Sequence, residues 1–516
     1  MAPPEHSSCV ASCGRRPRRW RPPHRLPTGT VAGPQEKNVT STAQPAPTAR
    51  SEVSVPSAPH LGRVVFITAA AAMGGFLFGY DSSVINGAVE AVRGRFDVGS
   101  ALLAQVIAAA LIGSAIGAAI AGRVADRIGR IPVMRIAAVL FTVSAVGSAL
   151  PFALWDLALW RVLGGIAIGM ASVIGPAYIA EVSPPAYRGR LASFQQGAIV
   201  LGIAVSQLVN WGILNLAGGD QRGTLAGLEA WQWMLGIMVV PAVGYFLLSF
   251  TIPESPRFLI SAGREADARR VLAGVEGEHG GLGARVREIE TAMRTEHRST
   301  FRDLLGGRAG LLPIVWIGIG LSVFQQLVGI NVVFYYSSTL WQSVGINPES
   351  SFFYSFTTSI VNIAGTVVAM LCVDRIGRKP LALIGSAGMT VSLAAVAWAF
   401  AARTGSGDDV TLPDVQGAVA LVGAHVFTLF FALSWGVVVW VLLGEIFPSR
   451  IRAAALGVAA GAQWIANWAI TASFPSLSEW NLSSTYVVYT VFALLSIPFI
   501  LKWVPETKGK ALEEMG

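Results

Sequence analysis

From residue 62 onward, long apolar stretches alternate with short polar ones. Twelve stretches run near 62–86, 101–121, 132–151, 156–180, 191–216, 231–252, 311–341, 352–373, 379–402, 416–445, 453–475 and 485–504. Each is about 20 residues or longer, enough to cross the hydrocarbon core of a bilayer. Hydrocarbon satisfies no backbone hydrogen bond, so each stretch is predicted to be a helix. Between Ser255 and Arg308 the pattern changes. ADARRVLAGV and ARVREIETAMR there read as short amphipathic helices with charged outer faces, too short to span. They serve either as a solvated linker or as a helical cap over one mouth of the bundle. Residues 1–60 hold no apolar run and are rich in Pro, Ser, Thr and Arg, the pattern of a disordered tail and not of a secretory signal.

The polar segments repeat. GRVADRIGRIP at Gly122–Pro132 returns half a chain later as CVDRIGRKP at Cys372–Pro380. Glu181-x-x-Pro184-x-x-x-Arg188 returns as Glu445-x-x-Pro448-x-x-x-Arg452, and Pro253-Glu254-Ser255 as Pro505-Glu506-Thr507. Three charged motifs in the same order twice indicate an internal duplication. In an apolar chain this points to a carrier of two homologous halves around a central site. The chain therefore divides into a tail (1–60), a first six-helix half (61–254), a helical loop (255–308), a second six-helix half (309–505) and a short tail (506–516).

Charge sets the orientation. One set of loops holds Arg123, Arg127, Arg130, Arg188, Arg190, Arg375, Arg378, Lys379, Arg450 and Arg452, and the long middle loop adds Arg257, Arg264, Arg269, Arg270, Arg285 and Arg287 among others. The opposite loops hold Asp156, Asp220, Glu229, Glu349 and Glu479 with few Arg. The positive-inside bias places both termini in the cytoplasm and the protein in the plasma membrane. Of the residues, 53% are hydrophobic and 13% charged, too little charge to cover a soluble protein of this length. The net charge of +8 follows from the loop bias, so nucleic acid need not be invoked.

Several chemistries find no support. There is no Walker A pattern for driving transport with ATP. Five of the six histidines lie in the tail or loops, and His425 stands in an apolar helix without ligand-spaced companions, the pattern of a packed histidine. Cys9, Cys13 and Cys372 give no disulfide framework, and no nucleophile–base set of an enzyme is evident. No cofactor and no metal are expected. The partners are a small polyhydroxylated molecule, protons and the bilayer, with the chain acting as a monomer.

Three constellations remain. Asp81, toward the end of the first span, and Arg161, opening the fourth, are charges inside a membrane, which default to function. A carboxylate in low dielectric beside an Arg can hold or lose a proton depending on that partner, as a proton-coupled carrier requires. The second constellation is a set of amides: Gln195, Gln196, Gln325, Gln326, Asn331, Asn362, Gln463 and Asn467. Amides donate and accept, as sugar hydroxyls do, and Trp440 and Trp464 add flat faces for the C–H side of a sugar ring. Gln326 and Asn331 lie five residues apart, off the same face of a straight helix, so Gly329 between them is expected to break it. The third comprises the charged repeats. Asp126, Arg127 and Arg130 should face Glu181 and Arg188, while Asp374, Arg375 and Arg378 face Glu445 and Arg452, as ion pairs that close the cytoplasmic mouth in one state. The same charges serve equally as topology signals and helix caps.

With these residues placed, the chain resembles the sugar porter family of the major facilitator superfamily from about residue 62 to 512. FGYD (78–81), RVLGGIAIG (161–169), PAYIAEVSPPAYRGR (176–190), PESPRFL (253–259), QQLVGINVVFYYS (325–337), WVLLGEIFP (440–448) and PETKG (505–509) carry the resemblance together with the two DRIGR copies. It implies an all-α membrane protein, twelve transmembrane helices in two six-helix halves, with a cytoplasmic helical linker. It also implies a sugar site of Gln196, Gln325, Gln326, Asn331, Asn362, Trp440 and Gln463, lined by Phe78, Phe431 and Trp464. Tyr335 and Tyr336 resemble the outer gate. Asp81, with Arg161 as its partner, resembles the acidic position of bacterial proton–sugar symporters, where animal facilitators have Asn. The chain departs from the pattern at Gly436-Val437, where Gly-Pro is usual, so the span-ten hinge is expected to bend differently. Arg452-Ala453 replaces Arg-Gly, and Ile131 stands where a basic residue is common. The expected function is proton-coupled uptake of a hexose, pentose or polyol. A uniporter with the same site is the nearest rival. A sugar sensor would need a signalling domain, and a drug–proton antiporter an apolar cavity.

Overall fold

Eleven helices among the described residues are long and apolar enough to cross a membrane. The computed structural model describes residues 61–184, 187–276, 282–295, 300–306, 310–404, 411–448 and 450–508. The tail reading of residues 1–60, with Cys9 and Cys13, lies outside them. The spans are α1 (Leu61–Val84), α2 (Ser100–Ile128), α3 (Arg130–Ala149), α4 (Leu154–Val182), α5 (Arg188–Leu216), α6 (Ala230–Leu248), α7 (Pro313–Tyr335), α8 (Pro348–Ile376), α9 (Arg378–Ala401) and α10 (Asp414–Ile446).

The eleventh helix, Arg452–Trp503, has 52 residues. At about 1.5 Å per residue that is more than twice the ~30 Å core of a bilayer. Asn481 divides it, with φ −163° and ψ 105°. Its side chain then caps the next helix by accepting from Ser484 N at 2.8 Å. We therefore treat it as α11 (residues 452–480) and α12 (residues 482–503), which gives the expected twelve. α2 and α8 outrun their apolar stretches and carry Asp126–Ile128 and Asp374–Ile376 at their ends.

Within the first half, α2 packs on α4 and α1 on α5. The halves meet where α2 packs on the Arg452–Trp503 helix and α5 on α8. Between α6 and α7 the linker forms short helices at Glu265–Glu276 and Leu282–Thr295, where its amphipathic pattern predicted them, and a further one at Pro256–Ser261 that the pattern did not predict. Large apolar side chains such as Leu371, Val391, Val240 and Ile465 remain exposed, which suits a lipid solvent and would burden a water-soluble surface.

Among the described residues, α6 is interrupted by a turn at residues 237–238 that keeps helical dihedrals, whereas α7 and α10 break at residues outside the helical region. α7 runs as Pro313–Leu327, then turns at Gly329 (φ 82°, ψ 18°) and resumes as Ile330–Tyr335. α10 runs as Asp414–Leu433 and resumes as Trp435–Ile446, with Ser434 at φ −131°, ψ −87°. The missing proline of Gly436-Val437 therefore does not prevent a break. Ser434 makes it, its hydroxyl donating to Phe430 O at 2.6 Å, and Val437 N uses the donor that a proline would lack to reach Ser434 O at 3.1 Å.

Gly329 is required twice over. Its left-handed backbone disfavours a side chain by ~1–2 kcal/mol, and a Cβ there would stand 2.7 Å from Cδ2 of the Tyr489 ring. Gly329→Ala should lower the thermal unfolding temperature in detergent. Gly444→Ala, in open space within α10, should leave it nearly unchanged. Equal stability of both variants with the parent would show that α7 tolerates a straight path.

Candidate functional site

Asp81 and Arg161 meet. Arg161 Nη1 donates to Asp81 Oδ1 at 3.1 Å, and the two side chains are 2% and 3% exposed. Asp81 Oδ2 and Arg161 Nε have no hydrogen-bond partner among the described residues. The buried pair thus leaves one carboxylate oxygen and the guanidinium Nε–H uncommitted among the described residues. A cavity of about 10 Å³, the room of a single water, lies beside it, lined in part by Ser82, Ile85, Arg161 and Tyr335. The buried Tyr335 hydroxyl is within reach of the Ser82 and Asn467 side chains, so the second half meets the surroundings of this pair through Tyr335.

The amides gather around the two helix breaks. Gln325 Nε2 donates to Trp435 O at 2.9 Å, just past the break in α10. Gln326 Nε2 donates to Gln325 Oε1 at 3.2 Å, and Asn331 Nδ2 donates to Gln326 Oε1. The turn at Gly329 brings Gln326 and Asn331 together, as their five-residue spacing required. Asn362 is buried, Gln196 and Gln463 are half-buried, and Gln463 Oε1 has no partner among the described residues. Phe78 and Trp464 meet across the halves with ring centroids 5.9 Å apart, and Phe431 is buried. Trp440 is 46% exposed. Tyr336 donates to Thr471 O at 3.2 Å and packs on Phe474.

The polar ties between the halves lie at the end away from the DRIGR repeats. Ser338 N donates to Asn86 Oδ1 at 2.9 Å, and Ser338 Oγ to Asn86 O at 2.8 Å. Asn86 Nδ2 donates to Gln207 Oε1 at 3.1 Å, and Gln207 Nε2 to Ser83 Oγ at 2.6 Å and Phe334 O at 3.3 Å. Ser100 and Arg93 meet Glu479 further out. None of these was among the expected site residues. One signal was available for Gln207. It follows Gln196 by eleven residues, about three helical turns, and so lies on the same face of α5.

The charged repeats build the same structure twice. Arg130 grips Glu181 with two parallel bonds of 3.0 and 2.9 Å, and Arg378 grips Glu445 at 3.1 and 2.8 Å. Glu254 accepts from Arg130 N at 3.0 Å and Ile131 N at 3.1 Å, while Glu506 accepts from Arg378 N at 3.1 Å and Lys379 N at 2.9 Å. Each carboxylate therefore caps the start of a span, where helix N–H groups are free. Gly129 and Gly377 turn the chain at φ 101° and 102°. The expected partners differ in one respect. Asp126 and Asp374 stay 70% and 79% exposed at 3.6 and 3.0 Å from their Arg, and Arg127 and Arg375 are exposed. Arg130 and Arg378 alone are the hubs, because only they point back from the helix starts toward the glutamates. Arg452 Nε donates to Phe447 O at 3.1 Å rather than to an acid. The side chain of Arg188 lies outside the described residues. Each hub closes within its own half and does not join the halves. Where Lys379 Nζ reaches Leu501 O at 3.0 Å, Ile131 has no equivalent donor.

The motifs that supply Glu254 and Glu506 were visible as a repeat, but their capping role was not. It depends on a contact between chain segments far apart in sequence.

The profile of a family described as "Sugar (and other) transporter" matches residues 67–516. The chain is 51% identical over 454 residues to a glucose transport protein of Synechocystis sp., covering 88% of this chain and 97% of that one. It is 36% identical over 482 residues to the D-xylose-proton symporter of Escherichia coli, covering 87% and 94%. Among solved structures, the xylose transporter XylE from E. coli in a partially occluded inward-open conformation matches with a TM-score of 0.75 at 34% identity, over 87% of this chain and all of that one. The proton:xylose symporter bound to 6-bromo-6-deoxy-D-glucose matches with a TM-score of 0.72 at 35% identity, over 88% and 98%.

The capping of Glu506 is open to a pH test. Burial alone would raise its pKa, but backbone N–H groups of Lys508, Lys379, Arg378 and Thr507 hold it below its ordinary value of 4.5. A depressed carboxyl contributes stability above its unfolded pKa and loses it as pH falls through the lowered folded value. Glu506→Gln should unfold at a lower temperature than the parent at neutral pH. The gap should narrow as pH drops below 4.5. A gap that is constant with pH would leave shape, not charge, as the role of Glu506.

Proposed function

Because the chain belongs to the sugar porter family of the major facilitator superfamily, we propose that it is a proton-coupled symporter that carries a hexose, a pentose or a polyol into the cell by alternating access. The family is one of transporters, and the chain is a multi-pass membrane protein. The observation that carries the coupling is the buried Asp81–Arg161 pair with its open oxygen, Asp81 Oδ2. A proton on Asp81 weakens its hold on Arg161, and loss of the proton restores it. A relative at 36% identity is a D-xylose-proton symporter, which favours symport over uniport.

Gln196, Gln325, Gln326, Asn331, Asn362 and Gln463 supply donors and acceptors for sugar hydroxyls, with Trp440, Trp464, Phe78 and Phe431 as apolar walls. Gln325, Gln326 and Asn331 are already linked to one another, so little side-chain freedom is lost when a sugar binds. On this reading the basic loops and both termini face the cytoplasm in the plasma membrane. The polar ties around Asn86 and Ser338 then close the outer end, with Tyr335 and Tyr336 as its gate, and the state is inward-facing. The repeated Arg–Glu hubs keep each half rigid at the inner mouth as the halves rock.

Two variants test the proposal. Asp81→Asn should abolish accumulation of sugar against a gradient yet retain counterflow exchange in proteoliposomes. Full accumulation by this variant would remove Asp81 from coupling. Gln326→Ala leaves buried partners unpaired, at ~1–3 kcal/mol, or roughly ten- to hundredfold in affinity. Calorimetry of purified protein with D-glucose and D-xylose reads this directly. Unchanged affinity at normal expression would place the sugar elsewhere.

A further inference from the structure

His425 stands in the middle of α10, facing α8. Its Nδ1 lies 2.8 Å from Leu421 O, one turn back. A carbonyl only accepts, so Nδ1 carries a proton in either charge state. Nε2 lies 2.9 Å from Thr357 Oγ1 and 3.4 Å from Thr358 Oγ1. Both hydroxyls also lie on Tyr354 O, at 3.0 and 2.8 Å.

This arrangement satisfies two protonation states. With a neutral ring, Nε2 accepts the Thr357 proton and Thr358 alone donates to Tyr354 O. With a charged ring, Nε2–H donates to Thr357 Oγ1 and both hydroxyls donate to Tyr354 O. The change between them is the rotation of one hydroxyl, and no buried group is left unpaired in either state. A histidine serving only as packing needs one such arrangement, not two.

We propose that His425 is a second proton-binding site, set in the second half at the seam of α8 and α10, separate from Asp81. The proton is taken up on Nε2. It is not committed to an ion pair, since the middle stretches of α5, α8, α9 and α10 and the Ser337–Gln342 segment carry no charged side chain. The charges on these helices sit at their ends: Glu349, Asp374 and Arg375 on α8, Arg378 and Lys379 on α9, Asp414 and Glu445 on α10, and Arg188 and Arg190 on α5. The remaining titratable groups on the elements packed there are Tyr354, Tyr335 and, at the far end of α8, Cys372. Thr358 is 1% exposed and stands one turn before Asn362 on α8, so the ring's charge acts one helical turn from a proposed sugar contact. Protonation thus tunes sugar affinity. This last link rests on the sugar-site reading above, whereas proton binding itself does not.

The test uses the full chain in detergent with 15N-labelled histidine. The imidazole resonance lost in His425→Gln should shift in the parent between about pH 5 and pH 8. A resonance that stays fixed across that range overturns the proposal. D-glucose and D-xylose binding to the parent should change roughly threefold or more over the same range, also in the Asp81→Asn background, and should be flat in Asp81→Asn with His425→Gln. His425→Asn repeats the comparison if the Gln variant does not fold. A moving resonance with pH-independent binding overturns the link to affinity. A moving resonance with no sugar binding at all tells against the sugar site and leaves the proton site standing.

Discussion

A polar group left unpaired in hydrocarbon costs several kcal/mol, and this penalty shapes both the fold and the site. It makes every span a helix. It also means that a helix can be interrupted only where a side chain serves the freed backbone. The breaks in α7 and α10 and the division at Asn481 each lie beside such a group. Ser434 serves Phe430 O before the break in α10, and Gln325 adds a second bond to Trp435 O just past it. Gln207 serves Phe334 O beyond the turn in α7, and Asn481 serves Ser484 N between α11 and α12. The amides proposed to bind sugar are thus drawn partly from those that the broken helices require. A ligand that offers donors and acceptors can join the same network without leaving the protein short of a partner.

The duplication supplies the second ingredient, two bodies that can move. Arg130 with Glu181 and Glu254, and Arg378 with Glu445 and Glu506, fasten span ends within each half by nearly identical bonds. Among the described residues, the Asn86–Ser338–Gln207 chain joins the halves at the end away from the DRIGR repeats, through single hydrogen bonds worth ~1 kcal/mol each. Strong fastening inside a half and weak fastening between halves is what rigid-body rocking around a fixed site needs. Tyr335 lies where these parts converge, within reach of Asn467 in its own half and of Ser82, beside Asp81, across the interface.

Much of this was legible in the sequence, for physical reasons. Spans are written in long apolar runs, because lipid tolerates little else. The break at Gly329 could be read from the five-residue spacing of Gln326 and Asn331, and Asp81 and Arg161 from the rarity of charge within a span. What stayed hidden depends on contacts between distant segments. Glu254 and Glu506 cap helices that begin far away in the chain, and Asn86 meets Ser338 from the other half. The missing proline at Gly436-Val437 led to the expectation that the span-ten hinge bends differently, and the break falls at Ser434, whose hydroxyl bonds to Phe430 O. Asp126 and Arg127 share a motif with Arg130, but the helix end directs only Arg130 inward.

Symport predicts that sugar and proton move together. Purified protein in liposomes that enclose a pH-sensitive dye, with no gradient imposed, tests this most directly. Adding D-glucose or D-xylose outside should acidify the lumen as the sugar enters, and the signal should vanish with a protonophore. Sugar entry at an unchanged lumenal pH would contradict proton coupling and leave a passive carrier.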